Sequence, residues 1–159
     1  MRVLKLSLKL TLADLCLLLY FVKSMSDLAT SAHKNQVDKG GNSYIEHPLR
    51  VMKQMTTDVA RIVAVLHDVI EDSDYGFDDL IAAGFSEEIV SAIVVLTKKK
   101  EVSYKNYLRA IKTNPIAIAV KLADLQDNMD LTRLPTITEK DTERQKKYSK
   151  AVAMLKNNG

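Results

Sequence analysis

An all-α bundle of non-parallel helices is the fold class this sequence predicts, and three observations point to it. Helix start and stop residues recur from Ser26 onward, and no convincing run of strand residues follows them. The stretch Ile116, Ala117, Ile118, Ala119, Val120 is apolar on every face, as a central buried helix requires. With 159 residues the chain can bury roughly two-thirds of its unfolded surface, enough for a single domain without a disulfide or a structural metal.

The punctuation predicts helices over residues 25–38, 46–55, 58–71, 77–83, 87–96, 104–112, 115–129 and 139–156. Pro48 stands in the first turn of the second helix, where its missing N–H costs nothing. Ser86 precedes Glu87 and Glu88, and Ser103 precedes a stretch with Tyr and Leu at helical spacing, so each is an N-cap candidate. Asn114 followed by Pro115 joins an N-cap to a proline at the first helical position. Thr138 with Asp141 three residues later resembles a capping box. Gly84 and the Gly40–Gly41 pair mark helix stops or turns.

The first 24 residues read differently. Leu4, Leu6, Leu8, Leu10 and Leu12 alternate with polar residues, the period of a half-buried strand, yet a helix would gather Arg2, Lys5 and Lys9 on one face. Leu15 to Val22 is too short to span a membrane, and Asp14 interrupts it as a signal-peptide core. The preferred reading is an appended helix on residues 1–24, packed on the domain formed by residues 25–159 or at a homo-oligomer contact. Removing it should leave activity intact. The formal charge of +3 is too small to argue for nucleic acid, and the single Cys16 fits a reducing, cytoplasmic setting.

The chemistry concentrates in Ala64-Val65-Leu66-His67-Asp68-Val69-Ile70-Glu71-Asp72. An apolar run from Ile62 carries one histidine and three carboxylates into a helix that should be buried. Burying such groups costs several kcal/mol unless a partner compensates, and a metal ion is the usual partner. His67 with Glu71, and Asp68 with Asp72, stand at i and i+4 on that predicted helix. A solvated helix end with one satisfied core histidine is the plain alternative.

Two further pieces join it. Lys121, Asp124 and Asn128 form a polar stripe emerging from the apolar stretch 116–120, unless they form a salt-bridged helix end at the surface. Lys39, a glycine turn, Tyr44 and His47-Pro48 bring a second imidazole to a helix start, free to point inward. Together His47, His67, Asp68 and Asp124 make a set of two imidazoles and two carboxylates suited to a divalent ion.

In this order the motifs His33-Lys-Asn-Gln36, Tyr44-Ile-Glu-His47-Pro48, His67-Asp68-Val-Ile-Glu71-Asp72 and Lys121-Leu-Ala-Asp124 with Asn128 resemble the HD-domain metal phosphohydrolases. They are most similar to the ppGpp hydrolase domain of Rel/SpoT-type enzymes and small alarmone hydrolases. The resemblance implies an HD-type helical bundle and release of pyrophosphate from the 3′ position of ppGpp. It implies one divalent ion, manganese, on His47, His67, Asp68 and Asp124, with Glu71 and Asp72 as the catalytic carboxylates. Lys39, Tyr44, Lys121 and Asn128 fall on the substrate side, and His33 is expected to be structural.

Two positions depart from the pattern. An arginine that packs on the guanine base usually precedes the lysine, and here it is Asp38; the residue after Asp124, commonly arginine, is Leu125. No synthetase motif is present, so hydrolysis is the expected activity. Other readings are a phosphohydrolase acting on another nucleotide and a non-catalytic nucleotide-binding protein. Asp38 is expected to repel substrate phosphates, so that Asp38→Arg would improve ppGpp turnover.

Overall fold

The computed structural model describes residue 25 and residues 27–157, and the segment read as an appended helix lies outside them. Helical residues 27–32 form α1. Then follow α2 (Glu46–Lys53), α3 (Asp58–Leu66), α4 (Val69–Asp72), α5 (Phe77–Ala82), α6 (Glu87–Leu96), α7 (Tyr104–Ile111), α8 (Pro115–Asn128), a 3-10 turn (Leu131–Arg133) and α9 (Glu139–Lys156). Among the described residues the only extended pairing is an isolated antiparallel bridge between Val37 and Ser43. The all-α expectation is borne out.

Local chemistry starts most of these helices where the sequence predicts. The Thr57 hydroxyl accepts from the Ala60 N–H at 3.2 Å, and the Ser103 hydroxyl from the Asn106 N–H at 3.3 Å. Asn114 Oδ1 accepts from both Ile116 and Ala117 at 3.0 Å, with Pro115 beginning α8. At α9 the Thr138 N–H donates to Asp141 Oδ2 at 3.0 Å, the reciprocal arm of a capping box. Gly84 ends the α5 turn at a positive φ of 86°.

Two boundaries differ from expectation. The helix predicted over 25–38 stops at residue 32, because Asn35 takes a left-handed φ of 66° and turns the chain toward the Val37–Ser43 bridge. The helix predicted over 58–71 breaks at His67 and Asp68. His67 Nδ1 bonds to the Ala64 carbonyl at 2.7 Å, the acceptor that a continuing helix would give to the Asp68 N–H. A new short helix then starts on the Asp68 carbonyl, which accepts from Glu71 and Asp72 at 3.1 and 3.0 Å.

The core gathers around α3 and α8. Helix α3 packs against α2, α6 and α8, and α8 also meets α7 and α9. Val63, Ala64 and Leu66 of α3 meet Val120 and Leu125 of α8 and Ile93 of α6 in one fully buried cluster. Each Val, Leu and Ile side chain among them contributes about 1.5–3 kcal/mol over leaving it in water. This packing fixes three ends against one another: the start of α2, the end of α3 and the later turns of α8.

Candidate metal centre and its cavities

His47 enters from the first turn of α2, where buried Pro48 follows it and turns the imidazole inward. His67 closes α3, and Asp124 lies on the inner face of α8. All three are buried, and each offers a ligand atom within 4.8 Å of the other two. His47 Nε2 lies 3.2 Å from Asp124 Oδ1 and 3.7 Å from Asp68 Oδ2. His67 Nε2 lies 3.2 Å from Asp68 Oδ2 and 3.8 Å from Asp124 Oδ1.

Neither Nε2 makes a hydrogen bond, although both are buried. The opposite ring nitrogens are committed: His47 Nδ1 to Asp127 Oδ2 and His67 Nδ1 to the Ala64 carbonyl, each at 2.7 Å. A ring that donates its outer N–H to a carboxylate or carbonyl presents its inner nitrogen as a lone pair. Two such lone pairs beside two carboxylates form a donor set that fits a divalent ion.

Without an ion, protons are drawn to the same centre. Burial disfavours the charged form of His47, but bonding to Asp124 and Asp127 outweighs it and raises the pKa to about 9. His67 is raised against its burial by Asp68 and Asp124. Burial opposes ionisation of Asp124, yet Lys121 and the two imidazoles hold its carboxyl well below the usual range. The cluster therefore demands positive charge at its centre, whether from protons or from a metal.

The remaining sequence candidates surround this group. The Tyr44 hydroxyl donates to Asp68 Oδ2 at 2.7 Å, and burial together with Asp68 keeps the phenol protonated. Asn128 Nδ2 donates to Asp124 Oδ1 at 2.5 Å, and Lys121 Nζ pairs with Asp124 Oδ2 at 2.7 Å. Lys121 is thus first a counter-ion for Asp124, not a free substrate hand. Glu71 and Asp72 are both exposed at the edge of the centre. Burial and then Asp68 raise the Asp72 carboxyl; burial raises Glu71 even though Oε1 accepts a hydrogen bond from the Lys98 backbone N–H. His33 stands apart from this group, bonded through Nδ1 to Gln36 at 2.9 Å, with its ring 4.9 Å from the Tyr44 ring and tilted 45° to it.

Two cavities flank the centre and share Tyr44 and Asn128. One, of about 330 Å³, adds Asp68, Glu71 and Asp124 to the cations Lys98, Lys121 and Lys147 and to Tyr104 and Tyr148. The other, of about 350 Å³, pairs apolar Val37, Leu131 and Leu134 with Lys39, Arg133 and Arg144. Lys39 is more than half exposed there, 4.0 Å from Asp141.

Asp38 also lines the second cavity, but its carboxylate is occupied. Oδ1 accepts from Gly40 and Asn42 at 2.9 Å, and Oδ2 pairs with Arg133 at 3.2 Å and Arg50 at 3.8 Å. The reading of Asp38 as a free charge facing substrate phosphates is therefore corrected: two arginines neutralise it and it holds the glycine turn together.

Sequence reasoning missed Asp127, Arg50 and Arg133. Helical spacing carried a signal for two of them, since Asp127 follows Asp124, and Arg50 follows His47, by three residues. In the first cavity Tyr44 precedes α2, Lys98 follows α6, Tyr104 lies on α7, Lys121 on α8 and Lys147 and Tyr148 on α9, and only the fold brings them together.

No family model matches the chain. It is 31% identical to a GTP pyrophosphokinase of Streptomyces coelicolor across 64% of this chain and 13% of that protein. It is 32% identical to a guanosine-3′,5′-bis(diphosphate) 3′-pyrophosphohydrolase of Aquifex aeolicus across 65% of this chain and 16% of that protein. The chain thus spans less than a fifth of the length of these curated relatives. A solved structure described as a metazoan ortholog of SpoT that hydrolyzes ppGpp superposes with a TM-score of 0.70 at 24% identity, covering 88% of this chain and 87% of that one. The resemblance read from the motifs is matched by these relatives, and the chain shares that hydrolase's helical fold.

Proposed function

We propose that the chain is a metal-dependent, cytoplasmic phosphohydrolase that releases pyrophosphate from the 3′ position of ppGpp, with His47, His67, Asp68 and Asp124 holding one divalent ion, manganese. The observation that carries this reading is the pair of buried, unbonded imidazole Nε2 atoms facing Asp68 and Asp124. Similarity to named ppGpp pyrophosphohydrolases and the shared fold support the substrate class.

When bound, the ion would lower the pKa of an attacking water and offset charge on the phosphoryl oxygens. The chain's own residues do the rest. Glu71 and Asp72 orient the water and take its proton; their raised pKa values bring them nearer to neutral pH, where a general base works best. Lys98 and Lys147 line the cavity beside Glu71 and draw the phosphates in. Tyr44 and Asn128 keep Asp68 and Asp124 aimed inward by donating to them. The second cavity, with apolar Val37, Leu131 and Leu134 and with Asp38, Asp130 and Asp141 balancing its basic residues, suits a nucleoside, with Lys39 at its rim.

The decisive experiment incubates manganese-loaded protein with ppGpp, pppGpp and a panel of other nucleotides and follows pyrophosphate and phosphate release. Release of pyrophosphate from ppGpp is the expected result. Inert ppGpp with efficient cleavage of another nucleotide replaces the alarmone reading by a general nucleotide phosphohydrolase, which the lack of an arginine at positions 38 and 125 favours. Binding without turnover of any nucleotide makes the chain a binding protein.

A further inference from the structure

We infer that Asp127 is the positioning residue for His47, and that Arg50 and Arg133 hold it in place, so that this trio sets how tightly the centre binds a divalent cation. The inference rests on the metal-centre reading above.

Asp127 sits on α8 almost one turn beyond Asp124 with its side chain only 7% exposed. Oδ2 lies 2.7 Å from His47 Nδ1, while Arg50 grips the carboxylate with Nε at 2.7 Å on Oδ1 and Nη2 at 3.2 Å on Oδ2. Arg133 adds Nη2 at 3.1 Å from Oδ2, and the same nitrogen donates to the Asp127 backbone carbonyl. A buried carboxylate with a single partner would be costly and free to swing; this one is clamped by two guanidinium groups and an imidazole.

The clamp matters because an imidazole has two nitrogens, and the bond made by one decides what the other offers. With Nδ1–H given to Asp127, Nε2 faces Asp68 and Asp124. The other histidine of the centre relies on the Ala64 backbone carbonyl, which no side-chain change removes. His47 is therefore the ligand whose orientation depends on a replaceable side chain. Arg50 follows His47 by three residues on α2, so the Asp127 carboxylate ties ligand and clamp to α8 together.

The test measures Mn2+ affinity of the full chain by calorimetry, with circular dichroism to establish folding. Asp127→Ala should weaken Kd by roughly 10–100-fold, the usual effect of losing such a partner. Asp127→Asn keeps an oxygen that can accept from Nδ1–H and should stay within a few-fold of the parent. Arg50→Met should fall between them, and His47→Ala should lose the site. A purely structural role would lower melting temperature in all of these without this order of affinities. Folded Asp127→Ala that binds Mn2+ like the parent overturns the inference and leaves the centre standing. If Asp127→Ala does not fold, unchanged affinity in Arg50→Met overturns it. Undiminished binding by His47→Ala instead removes the metal-centre reading itself.

Discussion

At the scale of single residues, His47 does two things that conflict. In the metal-free protein its ring is charged up to a pKa of about 9, because burial is outweighed by Asp124 and Asp127. A folded pKa above the unfolded value of 6.5 adds stability that is full below pH 6.5 and is lost as pH rises through about 9. A metal needs the same nitrogen neutral, so binding must expel the proton. The metal-free protein should thus melt at progressively lower temperature between those two pH values, while apparent Mn2+ affinity climbs over the same interval. Parallel pH dependence of both quantities would contradict competition for one nitrogen. Glu71 and Asp72 are a separate case, since neither is needed to hold the ligand group together. Changing both, Glu71→Gln with Asp72→Asn, should abolish turnover yet leave metal content near that of the parent; full activity would remove them from the mechanism.

At the scale of elements, the break between α3 and α4 decides how the site is built. One continuous helix would place His67 over Glu71 and Asp68 over Asp72, four groups on a single surface. The His67 bond to the Ala64 carbonyl ends α3, and Asp68 restarts the chain, so His67 sits on a different element from Glu71 and Asp72. The motif spacing made the residues legible but not this geometry, because the break depends on a side-chain-to-backbone bond that periodicity does not encode. Helix starts were legible for the opposite reason: Ser103, Asn114 and Thr138 act within three residues of themselves. For Asp127 only its helical spacing from Asp124 was legible; its role was not, since its partners His47 and Arg50 lie 80 and 77 residues away. Helix α8 carries Lys121, Asp124, Asp127 and Asn128, and its start rests on Asn114 accepting two N–H groups. Asn114→Ala should therefore cost about 1 kcal/mol in urea unfolding. Metal affinity should barely change, because the site lies at the far end of the helix; a large loss of affinity would show that the start of α8 controls its end.

At the scale of the whole molecule, the glycine turn after α1 and the 3-10 turn after α8 are locked together at the second cavity. Gly40 lies so close to the Arg133 carbonyl that a Cβ there would stand 2.7 Å from it. Asp38 completes the lock with two backbone N–H groups on one oxygen and two guanidinium groups near the other. Arg133 and Arg50 also reach Asp127, so Asp38 belongs to the same charge network as His47. Placing an arginine at position 38 would remove both turn bonds and bring a third guanidinium beside the existing two. Losing a paired, nearly buried carboxylate and its turn bonds costs about 2–4 kcal/mol. Asp38→Arg should therefore lower the urea midpoint, and it should reduce kcat/KM for ppGpp, reversing the expectation drawn from the sequence. Asp38→Asn keeps an acceptor for Gly40 and Asn42 and should cost less than half as much. If Asp38→Arg instead folds normally and turns ppGpp over faster than the parent, the carboxylate does repel the substrate, and the lock contributes little to holding the cavity in shape.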